Sequence, residues 1–313
     1  LRPPLSLDGV RTYPLAERRS KVALSDLARA HQKGASLAEF LDRLPRMLGA
    51  DSLRRLVADV VRARALGKPI LWGCGAHVIK VGLSPVLIDL MERGFVGGLA
   101  LNGAGIVHDF ELAVAGQTSE DVGESLGSGE FGMAHETGEE INRAIREGDR
   151  DGLGLGAALG RHLGATAPPH LGISLLAAAH RLGLPATVHV ALGTDIVHVH
   201  PACDPGAVGR GSHRDFLLFA GQVADLGGGG VYLNVGSAVL LPEVFLKAVT
   251  LARNLGHELH DFATANLDFI QSYRPNTNVV QRPVKGVGRG YSLTGHHELM
   301  VPLLAAALLE AAG

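Results

Sequence analysis

The chain has 313 residues, is 46% hydrophobic and 19% charged, and carries a formal net charge of −2. That length is enough for one large core or two domains, and the charge balance offers no basic excess to hold a nucleic acid or an anionic membrane surface. No uninterrupted apolar run has the length of a membrane span, and Cys74 and Cys203 are too few for a disulfide framework, so the expected compartment is the cytoplasm.

Residues 1–68 read as an N-terminal helical segment that packs on a main domain of residues 69–313. Within it, "SLAEFLDRLPRMLG" and "SLRRLVADVVRARALG" repeat apolar residues at helical spacing, and each ends in glycine. The pattern then alternates. "PILWG" is a short buried run and "SPVLIDLMERG" a helix; "VGGLAL" is a second run and "HDFELAVAG" a helix. "LGISLLAAAHRLG" and "ATVHVALG" follow as helix and strand, then "SHRDFLLFAGQVADLG" and "GVYLNV", then "LPEVFLKAVTLARNLG" and a strand beginning in "HDFATANLDF". The apolar helix "ELMVPLLAAALLEAA" comes last. Buried strands alternating with amphipathic helices predict an α/β fold: a parallel Rossmann-like sheet covered by helices on both faces. "GESLGSGEFG" reads as a loop. "QSYRPNTNVVQRPVKGVGRGYSLTG" has no clear period, and a long irregular stretch in a compact domain points to function.

Ligands of open parallel sheets bind at the carboxyl ends of the strands. Four small-residue turns are expected there: "GCGAH", "NGAG", "LGTD" and the "GGGG" around the fourth strand. None is a full dinucleotide fingerprint, but their shared position favours one. His108 and Asp109 stand where a strand passes to a helix; Asp109 either caps that helix or meets a ligand. Asp195 either forms an Asx turn or holds an amine or a ribose diol. His198 and His200, two apart, would share one face of a strand and offer a metal pair, which needs further ligands. Lysine is scarce, limited to Lys21, Lys33, Lys68, Lys80, Lys247 and Lys285. Lys285, inside the irregular stretch, is the candidate nucleophilic amine.

Leu71 to Gly116, together with "SLLAAAHRLGLPATVHVALGTD", "GGGGVYLNVGSA" and "RPNTNVVQRPVKG", resembles the deoxyhypusine synthase family. A related block occurs in arginine-degrading ornithine cyclodeaminases. The resemblance implies a Rossmann-like NAD-binding protein, usually a homotetramer, that takes a hydride from a carbon bearing nitrogen in a small amine or amino acid. It places Gly75, His77, Asn102, Gly103, Ala104, Gly105, Asp195, Gly228, Gly229 and Thr264 around NAD. His108 and Asp109 would lie near cofactor and substrate, and Lys285 would be the imine lysine. His108 replaces an expected acidic residue, and the tryptophan and glycine that precede the family's lysine are absent, which argues against deoxyhypusine formation itself. The alternatives are ornithine-cyclodeaminase-like activity, a metal-dependent hydrolase built on His198 and His200, and a non-catalytic nucleotide-binding protein.

Overall fold

The computed structural model describes residues 2–312. Its centre is a six-stranded, wholly parallel sheet in the order β3-β2-β1-β4-β5-β6. The strands are β1 (Ile70–Cys74), β2 (Gly98–Asn102), β3 (Ala186–His189), β4 (Val231–Val235), β5 (Phe262–Asp268) and β6 (Gly288–Thr294). The helices are α1 (Leu37–Arg43), α2 (Leu48–Ala65), α3 (Ala76–Lys80), α4 (Ser84–Glu92), α5 (Gly103–Ala115), α6 (Val122–Ser125), α7 (His135–Arg150), α8 (Leu155–Thr166), α9 (Leu175–Leu182), α10 (Pro205–Ala224), α11 (Leu240–Asn254), α12 (Tyr273–Pro275) and α13 (His297–Ala312). The expected α/β Rossmann-like architecture with N-terminal helices is present.

Two cores explain why the strands are apolar on both faces. Ile70, Trp72 and Cys74 of β1 and Val231, Leu233 and Val235 of β4 face a cluster shared with α2, α4, α5, α9 and α13. Leu71, Ala100 and Tyr232 face the opposite cluster, with Phe219 of α10 and Phe245 of α11. Tyr232 stacks on Phe245 with ring centres 3.9 Å apart. A Cβ at Gly73 would run into the Tyr232 hydroxyl, so glycine in the middle of β1 makes room for that ring.

Two expectations change. The N-terminal segment is not helical throughout: it has only single 3-10 turns at Leu15–Glu17 and Leu24–Asp26 before the α-helices begin at Leu37, and no residue from 2 to 34 is buried. The aperiodic C-terminal stretch is structured. It contains a π-helical turn over Asn276–Gln281 and then β6, an edge strand whose glycines Gly288 and Gly290 hid its period. Among the described residues, no helix is long and apolar enough to cross a membrane.

Candidate functional site

The site is built at the carboxyl edge, where β2 passes to α5. Asn102 ends the strand in extended conformation, and its side chain accepts from Gly105 N–H at 3.1 Å, capping α5. The loop after β3 brings Asp195 onto the same helix end. A Cβ at Gly103 would fall inside the Asp195 carboxylate, so glycine is what lets that acid sit there. A negative group is favoured at this end of a helix. Burial pushes the Asp195 pKa up, opposed by His198, the Thr194 hydroxyl and the Ala104 amide. Its side chain is 7% exposed, and Oδ2 has no hydrogen-bond partner.

A cleft of about 250 Å³ opens beside this acid. Lys80, Ala104, His108, Glu111, Glu120 and Asp195 line it, with Val107, Val122, Phe131 and Ile196 as its apolar wall. Three of the lining residues are acids and one is a lysine. The Thr118 hydroxyl donates to Glu111 Oε2 at 2.5 Å, and His108 Nδ1 lies 2.7 Å from the same hydroxyl oxygen. Thr137 donates to the other Glu111 oxygen at 3.1 Å. Burial lowers the His108 pKa; Glu111 opposes this, while Lys80 and His77 reinforce it. A lowered pKa favours the neutral ring, whose unprotonated nitrogen can accept a proton. Glu120 is held by Gly132 N–H at 2.9 Å.

The strand order reverses between β1 and β4, the crevice where open α/β sheets take their ligands. Gly75 follows β1 and Gly236 follows β4; a Cβ at Gly75 would collide with the Gly236 carbonyl, so only glycine permits this approach. His77 on α3 meets the ring of His297 edge-on, with centres 5.6 Å apart. His297 is 1% exposed, and its Nδ1 is buried without a partner. The Asn234 Oδ1 at the end of β4 is also unpartnered. At the head of α5 the Asn102 side chain takes the Gly105 amide and the Asp195 carboxylate lies against Gly103.

The structure thus gathers Gly75, His77, Asn102, Gly103, Ala104, His108 and Asp195 along one edge, and Gly105 packs behind them on Leu101. Other expected residues are elsewhere. Asp109 is fully buried on the far side of α5, where it accepts from Ser174 Oγ, Leu175 N and Leu176 N. It caps α9, neither its own helix nor a ligand. Gly228 and Gly229 precede β4 and lie at the amino edge, where Gly228 N–H bonds to His260 O and Lys68 is adjacent. Thr264 is buried in mid-strand and donates to Val279 O at 2.8 Å. Lys285 is exposed at the amino edge before β6, beside Arg253, His257 and Glu258. Strand length separates it from His108 by about 15 Å or more. His198 ends a 3-10 turn rather than sitting on a strand, and its Nδ1 accepts from Gly193 N and Asp195 N. His200 Nδ1 accepts from Ala202 N, so each ring closes its own turn. Among the described residues, no group of three or more acids, histidines or cysteines could hold a metal ion.

Lys80, Glu111, Thr118 and Glu120 were not singled out from the sequence. Helical spacing carried part of the signal: Lys80 is one turn from His77, and Glu111 is one turn from His108.

No protein-family model matches the chain, and no curated protein matches it by sequence. Solved structures do match. ArgZ, an arginine dihydrolase of the cyanobacterial ornithine-ammonia cycle, aligns over 83% of this chain and 31% of its own, with TM-score 0.50 and 18% identity. AgrE in complex with ornithine and NAD+ aligns over 83% of this chain and 33% of its own, with TM-score 0.55 and 14% identity. A candidate deoxyhypusine synthase from Entamoeba histolytica aligns over 91% of this chain and 97% of its own, with TM-score 0.54 and 10% identity. The chain spans about a third of ArgZ and AgrE. At these identities the similarity establishes a shared Rossmann-like fold.

Proposed function

We propose that the protein binds NAD and takes a hydride from the nitrogen-bearing carbon of a small amine or amino acid. The observation that carries this reading is the cleft at the head of α5, where Glu111, Glu120 and Asp195 face one lysine beside His108, whose pKa burial lowers. AgrE, which shares the fold, was solved with ornithine and NAD+. Gly75, His77, Gly236 and His297 would hold the cofactor at the crevice between β1 and β4. When bound there, a nicotinamide supplies the hydride acceptor.

The chain's own residues prepare the substrate. The Asp195 carboxylate, which lines the cleft, takes a hydrogen bond from the ammonium group. His108 removes a proton from that nitrogen, freeing the lone pair that stabilises the carbon as its hydride leaves. Lys80 is placed to meet the carboxylate of an amino acid. The apolar wall of Val107, Val122, Phe131 and Ile196 limits water around the reacting carbon. No covalent imine with Lys285 enters this scheme.

The test is calorimetry with NAD+, ornithine and 1,4-diaminobutane, paired with the near-ultraviolet absorbance of reduced nicotinamide. NAD+ binding in wild type, with amine binding weakened in Asp195→Asn and turnover lost in His108→Ala, supports the reading. Absence of NAD+ binding at millimolar concentration overturns it. We also propose a homotetramer. Leu5, Leu7, Val10, Tyr13, Leu15, Val22, Leu24 and Leu27 all stand exposed on the N-terminal segment, an apolar surface suited to another subunit. Light scattering that reports a monomer at micromolar concentration refutes this.

A further inference from the structure

The hydrogen bonds behind His108 have a direction. Glu111 is an acceptor when ionised, so the single hydroxyl proton of Thr118 goes to Glu111 Oε2 at 2.5 Å. The Thr118 oxygen then faces His108 Nδ1 at 2.7 Å with only lone pairs to offer. Nδ1 must carry the ring proton, and Nε2 must be the basic nitrogen. Glu111 is itself fixed from behind by Thr137. On the other side of this wall lies a second chamber of about 580 Å³, lined by Glu111, Thr118, Ser119, Glu120, Glu136 and Thr137. Glu111 therefore borders both chambers. Ser119, between Thr118 and Glu120, has φ +71°, a left-handed conformation uncommon for serine, and so holds the wall in an unusual turn.

We propose that Thr118 and Glu111 are positioning residues that lock His108 as its Nδ1–H tautomer and form a proton relay from the substrate cleft to the second chamber. The catalytic meaning rests on the amine-oxidising reading above; the tautomer does not. In the relay, Nε2 takes the substrate's proton, Nδ1–H passes its proton to the Thr118 oxygen, and the Thr118 hydroxyl proton moves to Glu111. His108 ends neutral with its proton on Nε2, and Glu111 ends as a carboxylic acid. Glu111 then releases that proton to water in the second chamber. After the product leaves, Nε2–H gives its proton to water entering the cleft and Nδ1 is reprotonated from the second chamber through Glu111 and Thr118, so the original tautomer returns and one substrate proton in all has passed to water. The charged and titratable groups facing His108 are His77 and Lys80 from α3, Glu111 from α5, Glu120 from the following loop and Asp195 from the loop after β3.

Nitrogen-15 NMR of the histidine rings reads this directly, without substrate or cofactor. The expected wild-type spectrum shows His108 protonated on Nδ1. Thr118→Val removes the acceptor, and His108 shifts to the Nε2–H form that neutral imidazole prefers in water; Thr118→Ser restores Nδ1–H. Glu111→Gln removes the charge that raises the His108 pKa, so the titration midpoint moves down. A wild-type ring protonated on Nε2, or a Thr118→Val ring still protonated on Nδ1, overturns the proposal. A His108 midpoint unchanged in Glu111→Gln removes Glu111 from the relay. If the tautomer is as expected but no amine or NAD+ binds, the functional reading fails and the tautomer assignment stands.

Discussion

Asp109 and Asp195 are both withdrawn from water along the same helix layer, and they are used in opposite ways. Asp109, at the joint between α5 and α9, has its oxygens filled by one hydroxyl and two amides. Asp195, at the head of α5, keeps one oxygen without a partner and borders an open cleft. Burial raises both pKa values, that of Asp109 to about 6. Titration behaviour alone therefore does not separate a structural acid from a functional one. The distinction is in the unused hydrogen-bonding capacity of the second and the saturated capacity of the first.

The sharpest way to break this contrast is Asp109→Ala. It strands the Ser174 hydroxyl and two amides in the core and removes the α9 cap, at an expected cost of about 3 kcal/mol in urea unfolding. Asp109 also carries a signature in pH. Its folded pKa of about 6 exceeds the free value of 3.8, so the folded chain binds the proton more tightly. The stability from this group is full below about pH 4 and is lost as pH rises through about 6. Asp215, buried and raised to about 7, acts in the same direction over a slightly higher window. Asp149 and Asp261, lowered to about 2 by their arginine partners, act in the opposite sense and lose their contribution as pH falls below about 4. In Asp109→Ala the fall in stability between pH 4 and 6 should be reduced by one proton's worth. An unchanged slope contradicts the assignment.

At the other end of α5, Gly103→Ala places a methyl group where the Asp195 carboxylate lies. The acid or the helix must move, and the expected loss is about 2 kcal/mol in thermal or urea unfolding, with amine binding abolished. Gly105→Ala is the control. Its Cβ would meet Asn102 Oδ1 and the Leu101 side chain at 3.3 Å, a tight contact with no acid to displace. Amine binding that survives Gly103→Ala unaltered would show that Asp195 has no part in the cleft's chemistry.

Asp195→Asn sharpens the comparison from the functional side. It removes a buried charge whose oxygen has no partner, so stability should change by less than about 1 kcal/mol while amine affinity falls by about 2 kcal/mol, roughly 30-fold. A loss of stability comparable to that of Asp109→Ala would place both acids in the same structural role.

The fold was legible because parallel strands buried on both faces write themselves as short apolar runs, as "PILWG" and "GVYLNV" do. The edge strand β6 was not, since Gly288 and Gly290 interrupt its alternation and only one face of it is covered. Of the site, the turn residues around Asn102 and Asp195 could be found because glycine and an acid after an apolar run mark a strand's carboxyl end. The face of α5 could not be read from the order "HDF". Adjacent helical residues diverge by about 100°, so His108 in the cleft implies Asp109 turned away from it. The "GGGG" run shows the limit of position along the chain: its place before β4 rather than after it decides which edge it joins.

The two edges of the sheet give the smallest expected effect and a decisive one. Lys285 stands exposed at the amino edge, whereas Lys80 lines the cleft at the carboxyl edge. Lys285→Ala should change stability by no more than about 0.5 kcal/mol, as exposed substitutions away from caps and ion pairs do, and should leave amine binding and turnover at wild-type values. Lys80→Ala should leave stability equally untouched but weaken an amino-acid substrate more than a diamine, since only the former brings a carboxylate for Lys80 to meet. Borohydride trapping of a substrate-derived imine completes the measurement. A label on Lys285 would mean that a second subunit carries its amino edge to this cleft, and the comparison between the two edges within one chain would no longer describe the working protein.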